Sequence, residues 1–155
     1  MIELSDVHLW VNHFPLFAFF FGVMLYFLSR KSADIRRAGL WLIAIGGISC
    51  APAFLSGEPA EEKVEHLPGI KHDLIEEHEE WGERAAWAGG ISGALALAGL
   101  IIPLNNRERL GRIAAFLGIL AFLVLAITAH HGGEIRRQDG GHAAPAKHEH
   151  QEHEE

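Results

Sequence analysis

The 155-residue chain carries eleven histidines, and several of them mark the ends of long uncharged runs. No Asp, Glu, Lys or Arg falls within Trp10 to Ser29, Ala38 to Ser56, Ala85 to Asn106 or Ile113 to Gly133. His8 and His13 stand at the start of the first run, His78 just ahead of the third, and His130 and His131 at the end of the fourth. If each run crosses one bilayer, up-and-down connectivity alone gathers all of these imidazoles on one side. Neutral imidazole is the commonest nitrogen ligand for haem iron, zinc and copper. Two histidines on different helices can sandwich a haem, and three with a carboxylate can hold a non-haem ion. The plain alternative for any one of them is an interfacial or helix-capping histidine.

The elements that must position these residues follow from length. A helix needs about 20 apolar residues to cross a hydrocarbon core of about 30 Å, and each run is near that length. We expect an all-α, polytopic membrane protein: a four-transmembrane-helix bundle with spans at about 10–29, 38–56, 85–104 and 112–131, in a membrane domain covering 1–137. The net charge of −7 is confined to the connections. Arg30, Lys31, Arg36 and Arg37 make the first connection basic, and Arg107, Arg109 and Arg112 the third, whereas 57–84 is rich in Glu and Asp. Short loops rich in Lys and Arg face the cytoplasm. Both termini and the acidic helical loop are therefore expected on the extracytoplasmic side of the inner (cytoplasmic) membrane. Glu3 and Asp6 ahead of the first run argue against a secretory signal. Cys50, the single cysteine, permits no intrachain disulfide.

Along the chain, Ser5 is a candidate N-cap, and Pro15 predicts a kink or a late helix start because it cannot donate to the carbonyl of Val11. Small residues line the second and third spans, with Gly89 and Gly93 and with Gly90 and Ala94 spaced by four. That spacing suits close helix packing in lipid, with room for a flat cofactor as the other reading. Pro59 suits the first position of a short helix that Leu67-Pro68-Gly69 ends. The next helix, beginning near Lys71, is too long to be a span alone and should lift His78 above the bilayer. Gly132-Gly133 reads as a stop for the last helix. The remainder, 138–155, is a disordered His/Glu-rich tail in which His142, His148, His150 and His153 can bind metals loosely.

Several sharper motifs are missing. Gly82 stands where HExxH needs its second histidine, Ile75 breaks the Glu-x-x-His pattern of di-iron bundles, and no CxxCH or phosphate loop occurs. Without a charged residue in mid-span, transport through the bundle is weakly supported.

His13-Phe14-Pro15, the stretch Gly57-Glu58-Pro59-Ala60-Glu61-Glu62, the stretch Val64-Glu65-His66-Leu67-Pro68-Gly69, His78-Glu79, and Gly132-Gly133-Glu134-Ile135-Arg136 together resemble the DUF2231 family of four-helix membrane proteins. The likeness covers about residues 8–137, and GEPAEE with HLPG is its most specific part. It implies a four-helix membrane bundle whose site includes His13, His78 and the glycine pair, with His66 a further candidate. Some members of that family occur beside or fused to cytochrome-like domains, which points toward haem.

The leading expectation is a small membrane cytochrome that binds haem b through His13 and His78, with His130 or His131 as substitute partner. Trp81 or Trp87 would pack on the ring. It would pass electrons near the extracytoplasmic face between a membrane redox complex and a periplasmic carrier. The alternative is a divalent metal ion (zinc, copper or iron) held by His13, His78, Glu79 and His130. A third reading is a structural subunit of a larger membrane complex. Catalysis is the least expected role, and no nucleic-acid partner is expected.

Overall fold

The computed structural model describes residues 8, 11–29, 32–65, 70–102 and 106–142. Ser5, His66, the turn at 67–69 and the chain after His142 lie outside the described residues. Those described form five helices: α1 (His13–Leu28), α2 (Ala33–Leu55), α3 (Gly57–Glu65), α4 (His72–Ile101) and α5 (Arg107–His142). The protein is all-helical, and α2, α4 and α5 are each long and apolar enough to cross a membrane. Helix α1 is apolar but shorter.

Local sequence explains the helix ends. A helical turn in which the Asn12 N–H donates to the His8 carbonyl (3.0 Å) precedes α1. The helix proper starts at His13, so Pro15 falls in its first turn, where a missing N–H costs nothing. This is the late start expected of Pro15. At α2, the Ser32 hydroxyl accepts from the Ile35 N–H at 3.3 Å, an N-cap reinforced by Asp34 in the first turn.

The long helices form a four-membered ring in which α1 packs on α2, α2 on α4, α4 on α5 and α5 back on α1. The interior is made of small residues: Ala44, Ala96, Ala114, Ala115 and Ala121 are buried with Ser92, Phe19 and Ile43. The large apolar side chains face outward instead, including Phe17, Ile48, Trp87 and Phe116. A water-soluble bundle does the reverse; small-inside and large-outside is the arrangement that suits lipid, where association depends on close backbone approach. The glycines show that approach directly. A Cβ added to Gly47 would lie 2.6 Å from the Gly89 carbonyl oxygen, and one added to Gly39 2.7 Å from that of Gly22. The seams read as possible cofactor space are thus closed by helix-to-helix contact. At their centre the Ser92 hydroxyl donates to the Ala114 carbonyl (2.9 Å), tying α4 to α5 inside the core.

Helix α5 does not stop at Gly132-Gly133 but runs on to His142. Two glycines cost a helix roughly 1 kcal/mol each, and tertiary contact overrides that preference. Ile135 is buried beyond the pair, and Arg137 bonds Glu134 at 3.3 Å one turn back.

Candidate functional site

The histidine-bearing end of the bundle is assembled by two stripes of buried positions. On α4 the buried face runs through Ile75, Ala85, Gly89, Ser92, Ala96 and Gly99. His78 falls in the same helical register, three residues after Ile75 and seven before Ala85, and so turns toward α5. On α5 the matching face carries Ala121, Leu125 and Ile135, with Thr128 and Gly132 at the same spacing. The His78 ring lies against Gly132, where an added Cβ would come within 3.0 Å of its Cε1. Its Nδ1 is 3.0 Å from the Thr128 carbonyl oxygen.

His8 reaches the site from the other side of the ring. Its Nδ1 is 3.1 Å from both the Ala53 carbonyl oxygen and the Ser56 hydroxyl. Ala53 lies in the last turn of α2, where carbonyls lack helical partners and seek donors. The buried Ser56 hydroxyl donates to the same oxygen at 3.1 Å.

A carbonyl oxygen can only accept, so each of these Nδ1 atoms carries a proton. In the neutral ring the lone pair is then on Nε2. Burial holds the pKa of both imidazoles below the ordinary value of 6.5. The backbone bonds to Ala53 and Thr128 oppose that shift; the neighbouring His13 lowers His8 further, and His8 and His131 lower His78. Both rings are therefore neutral at pH 7. Their centroids are 6.4 Å apart and their planes nearly perpendicular at 87°.

His131 flanks the pair. Its Nδ1 is 3.4 Å from Glu77 Oε2 and 4.0 Å from Glu134 Oε2. The Glu77 contact is close enough for charge attraction but lacks hydrogen-bond alignment, leaving this buried nitrogen without a bonded partner. Among the described residues, Asn12 Oδ1, one turn after His8, is the other buried side-chain polar atom in that condition. Both belong to residues at this end of the bundle.

The remaining sequence-named residues are placed differently. His13 begins α1 on its exposed side and forms no hydrogen bond or ion pair with the described residues. His130 is exposed beside Glu134 (3.7 Å), its ring 5.9 Å from that of His131. Glu79 is exposed and lies near Glu61 of α3, whose carboxyl is raised by burial and by Glu79, Glu65 and Glu58. Trp87 faces outward, and the Arg84 guanidinium lies over the Trp81 ring, 4.9 Å from its centroid. The structure thus joins His78 to His8 and His131, and leaves His13 and His130 at the periphery. Among the described residues, no three His, Cys, Asp or Glu side chains are already grouped to hold a metal ion.

No family model, curated protein or solved structure matches the chain.

His8 is a residue that sequence reasoning gathered at this end of the bundle but did not choose as a ligand. The signal was present: His8, Asn12, Pro15, Phe19 and Gly22 repeat at intervals of three and four, and Pro15, Phe19 and Gly22 are buried. His13 is out of that register.

Proposed function

We propose that this is an integral protein of the cytoplasmic membrane that holds a transition-metal ion (zinc, copper or iron) between His8 and His78 at its extracytoplasmic rim. In this reading α1, α2, α4 and α5 all cross the bilayer, with both termini and the acidic α3 connection outside. The basic ends at Arg36, Arg37, Arg107 and Arg112 support that orientation. The membrane reading also draws on the outward-facing large apolar side chains.

One observation carries the metal reading: two neutral imidazoles from different helices, each with Nδ1–H fixed on a backbone carbonyl, 6.4 Å apart. Fixing one ring nitrogen as donor sets the tautomer and orients the other nitrogen as a ligand, the usual outer-shell arrangement of metal-bound histidine. Two imidazoles sharing one ion through bonds of about 2.0–2.1 Å have centroids roughly 5 to 6 Å apart. A shift of less than a bond length brings this pair into range. His131, close enough to His78 to act on its charge, is a candidate for a third ligand.

The test is titration of chelator-stripped, detergent-solubilised full chain with zinc and copper by calorimetry. One ion per chain, lost in the His8→Ala/His78→Ala double variant and retained in His130→Ala, supports the reading. Binding unchanged in the double variant overturns it.

Haem b is the second reading, and the same ring separation favours it, since axial ligands on opposite faces of one iron give similar spacing. Haem would supply one-electron chemistry, consistent with passing electrons to a membrane or periplasmic partner. The closed glycine seams leave no slot for a porphyrin within the packed bundle, and this ranks haem below a bare ion. Protein expressed with haem supplied and purified without a Soret band removes it.

A further inference from the structure

At the end opposite the histidines, the four long helices leave a groove of about 740 Å³. Its walls carry Arg36, Arg37, Arg107 and Arg112, and its floor includes Leu40 and Leu100. We infer that this groove binds the phosphate headgroup of an anionic glycerophospholipid, with the first acyl segments on the apolar floor.

Charge is the first support. Asp34 and Glu108 also line the groove, so the four arginines outnumber its acids. Among the described residues, Arg37, Arg107 and Arg112 form no ion pair with a carboxylate. Arg36 is anchored, its guanidinium donating to the Ser29 carbonyl at 3.2 Å, which fixes one cation at the mouth. Guanidinium is the side chain best matched to phosphate oxygens.

The second support is the backbone. Helices α2 and α5 both begin at this groove, with Ala33 and Arg107 among its lining residues. Their first-turn N–H groups and positive dipole ends add to the arginines in favouring an anion.

The third is the pairing of chemistries. A site for free phosphate needs only cations and donors, yet this groove joins a basic rim to Tyr26, Phe27, Leu40 and Leu100 from three helices. Basic pockets between membrane helices on the cytoplasmic side are a recurring form of anionic headgroup site. Close packing shapes the floor: a Cβ on Gly111 would meet Leu40 at 3.1 Å and the Tyr26 hydroxyl at 3.5 Å, so α5 sits directly on α1 and α2 there.

The experiment is native mass spectrometry of the detergent-solubilised full chain with added phosphatidylglycerol, with phosphatidylcholine, or with inorganic phosphate. Retention of phosphatidylglycerol over phosphatidylcholine, weakened roughly thirty-fold in Arg37→Gln/Arg112→Gln, is the expected result. The Arg109→Gln variant, altered outside the groove, should retain the lipid as wild type does. Helix content by circular dichroism and retention in Arg37→Lys/Arg112→Lys separate loss of the site from loss of the fold. Equal retention of both lipids, or equal retention in wild type and the glutamine variant, overturns the proposal. Displacement of the lipid by millimolar inorganic phosphate assigns the site to soluble phosphate and also overturns it.

Discussion

Gly132 lies directly against the imidazole of His78: a Cβ on this glycine would stand 3.0 Å from Cε1 and 3.4 Å from Nδ1. The glycine leaves the ring the space in which Nδ1–H meets the Thr128 carbonyl. Gly132→Ala should move the ring by a few tenths of an ångström and disturb that bond. Loss of such an outer-shell partner typically weakens a metal site 10- to 100-fold, and calorimetric affinity should fall within about that range. Alanine is the better helix former by up to about 1 kcal/mol, so the melting midpoint should change little. Gly133→Ala, with nothing within 4 Å of its added Cβ, should keep wild-type affinity. Equal affinities for the two variants would show that His78 does not depend on its seat.

The two half-buried imidazoles also predict how stability follows pH. In the unfolded chain a histidine takes up its proton near 6.5, whereas His8 and His78 in the folded protein resist protonation until lower pH. Below 6.5 the unfolded state then binds more protons than the folded one, and linkage makes stability rise with pH. Full stability should be present above 6.5 and be lost as pH falls from there through the folded values. Glu77, Glu134 and His131 lie at the same end of the bundle. The comparison is therefore between the wild type and His8→Gln/His78→Gln, melted in detergent from about pH 5 to about pH 8. The double variant should show the flatter profile, and parallel profiles would mean that these rings are not held neutral.

The pattern of charge-free runs made three long apolar helices legible from sequence, because the length of a span is set by the bilayer and not by neighbours. The extension of α4 beyond its apolar part was equally legible, since no proline falls between His72 and Ala85. Partners across the bundle were not. His13 drew attention through its place in His13-Phe14-Pro15, yet a helix turns by about 100° per residue, and five residues separate it from His8. One ring consequently faces α2 and the other faces outward. Gly132-Gly133 misled for a related reason: a glycine pair reads as a helix end when its own propensity is all that is known. Its role as a seat for a ring fifty-four positions away along the chain appears only once α4 and α5 are side by side.

The same contrast between local and cross-helix causes yields a test of the bundle itself. Gly47 and Gly93 face each other where α2 crosses α4; a Cβ on Gly47 would meet the Gly89 oxygen at 2.6 Å and the Gly93 Cα at 2.7 Å. Neither is the end of a flexible side chain, so in Gly47→Ala the helices must move apart, and overpacking of this kind costs about 1–3 kcal/mol. Gly90, one residue from the seam, is exposed with nothing within 4 Å of an added Cβ. Gly90→Ala should therefore be neutral or stabilising by up to about 1 kcal/mol through helix propensity alone. Melting both variants in the same detergent checks the pair: a lower midpoint for Gly47→Ala and an equal or higher one for Gly90→Ala is expected. If Gly47→Ala melts with the wild type, α2 and α4 do not meet at these glycines, and the space they would leave open would restore the case for a flat cofactor inside the bundle.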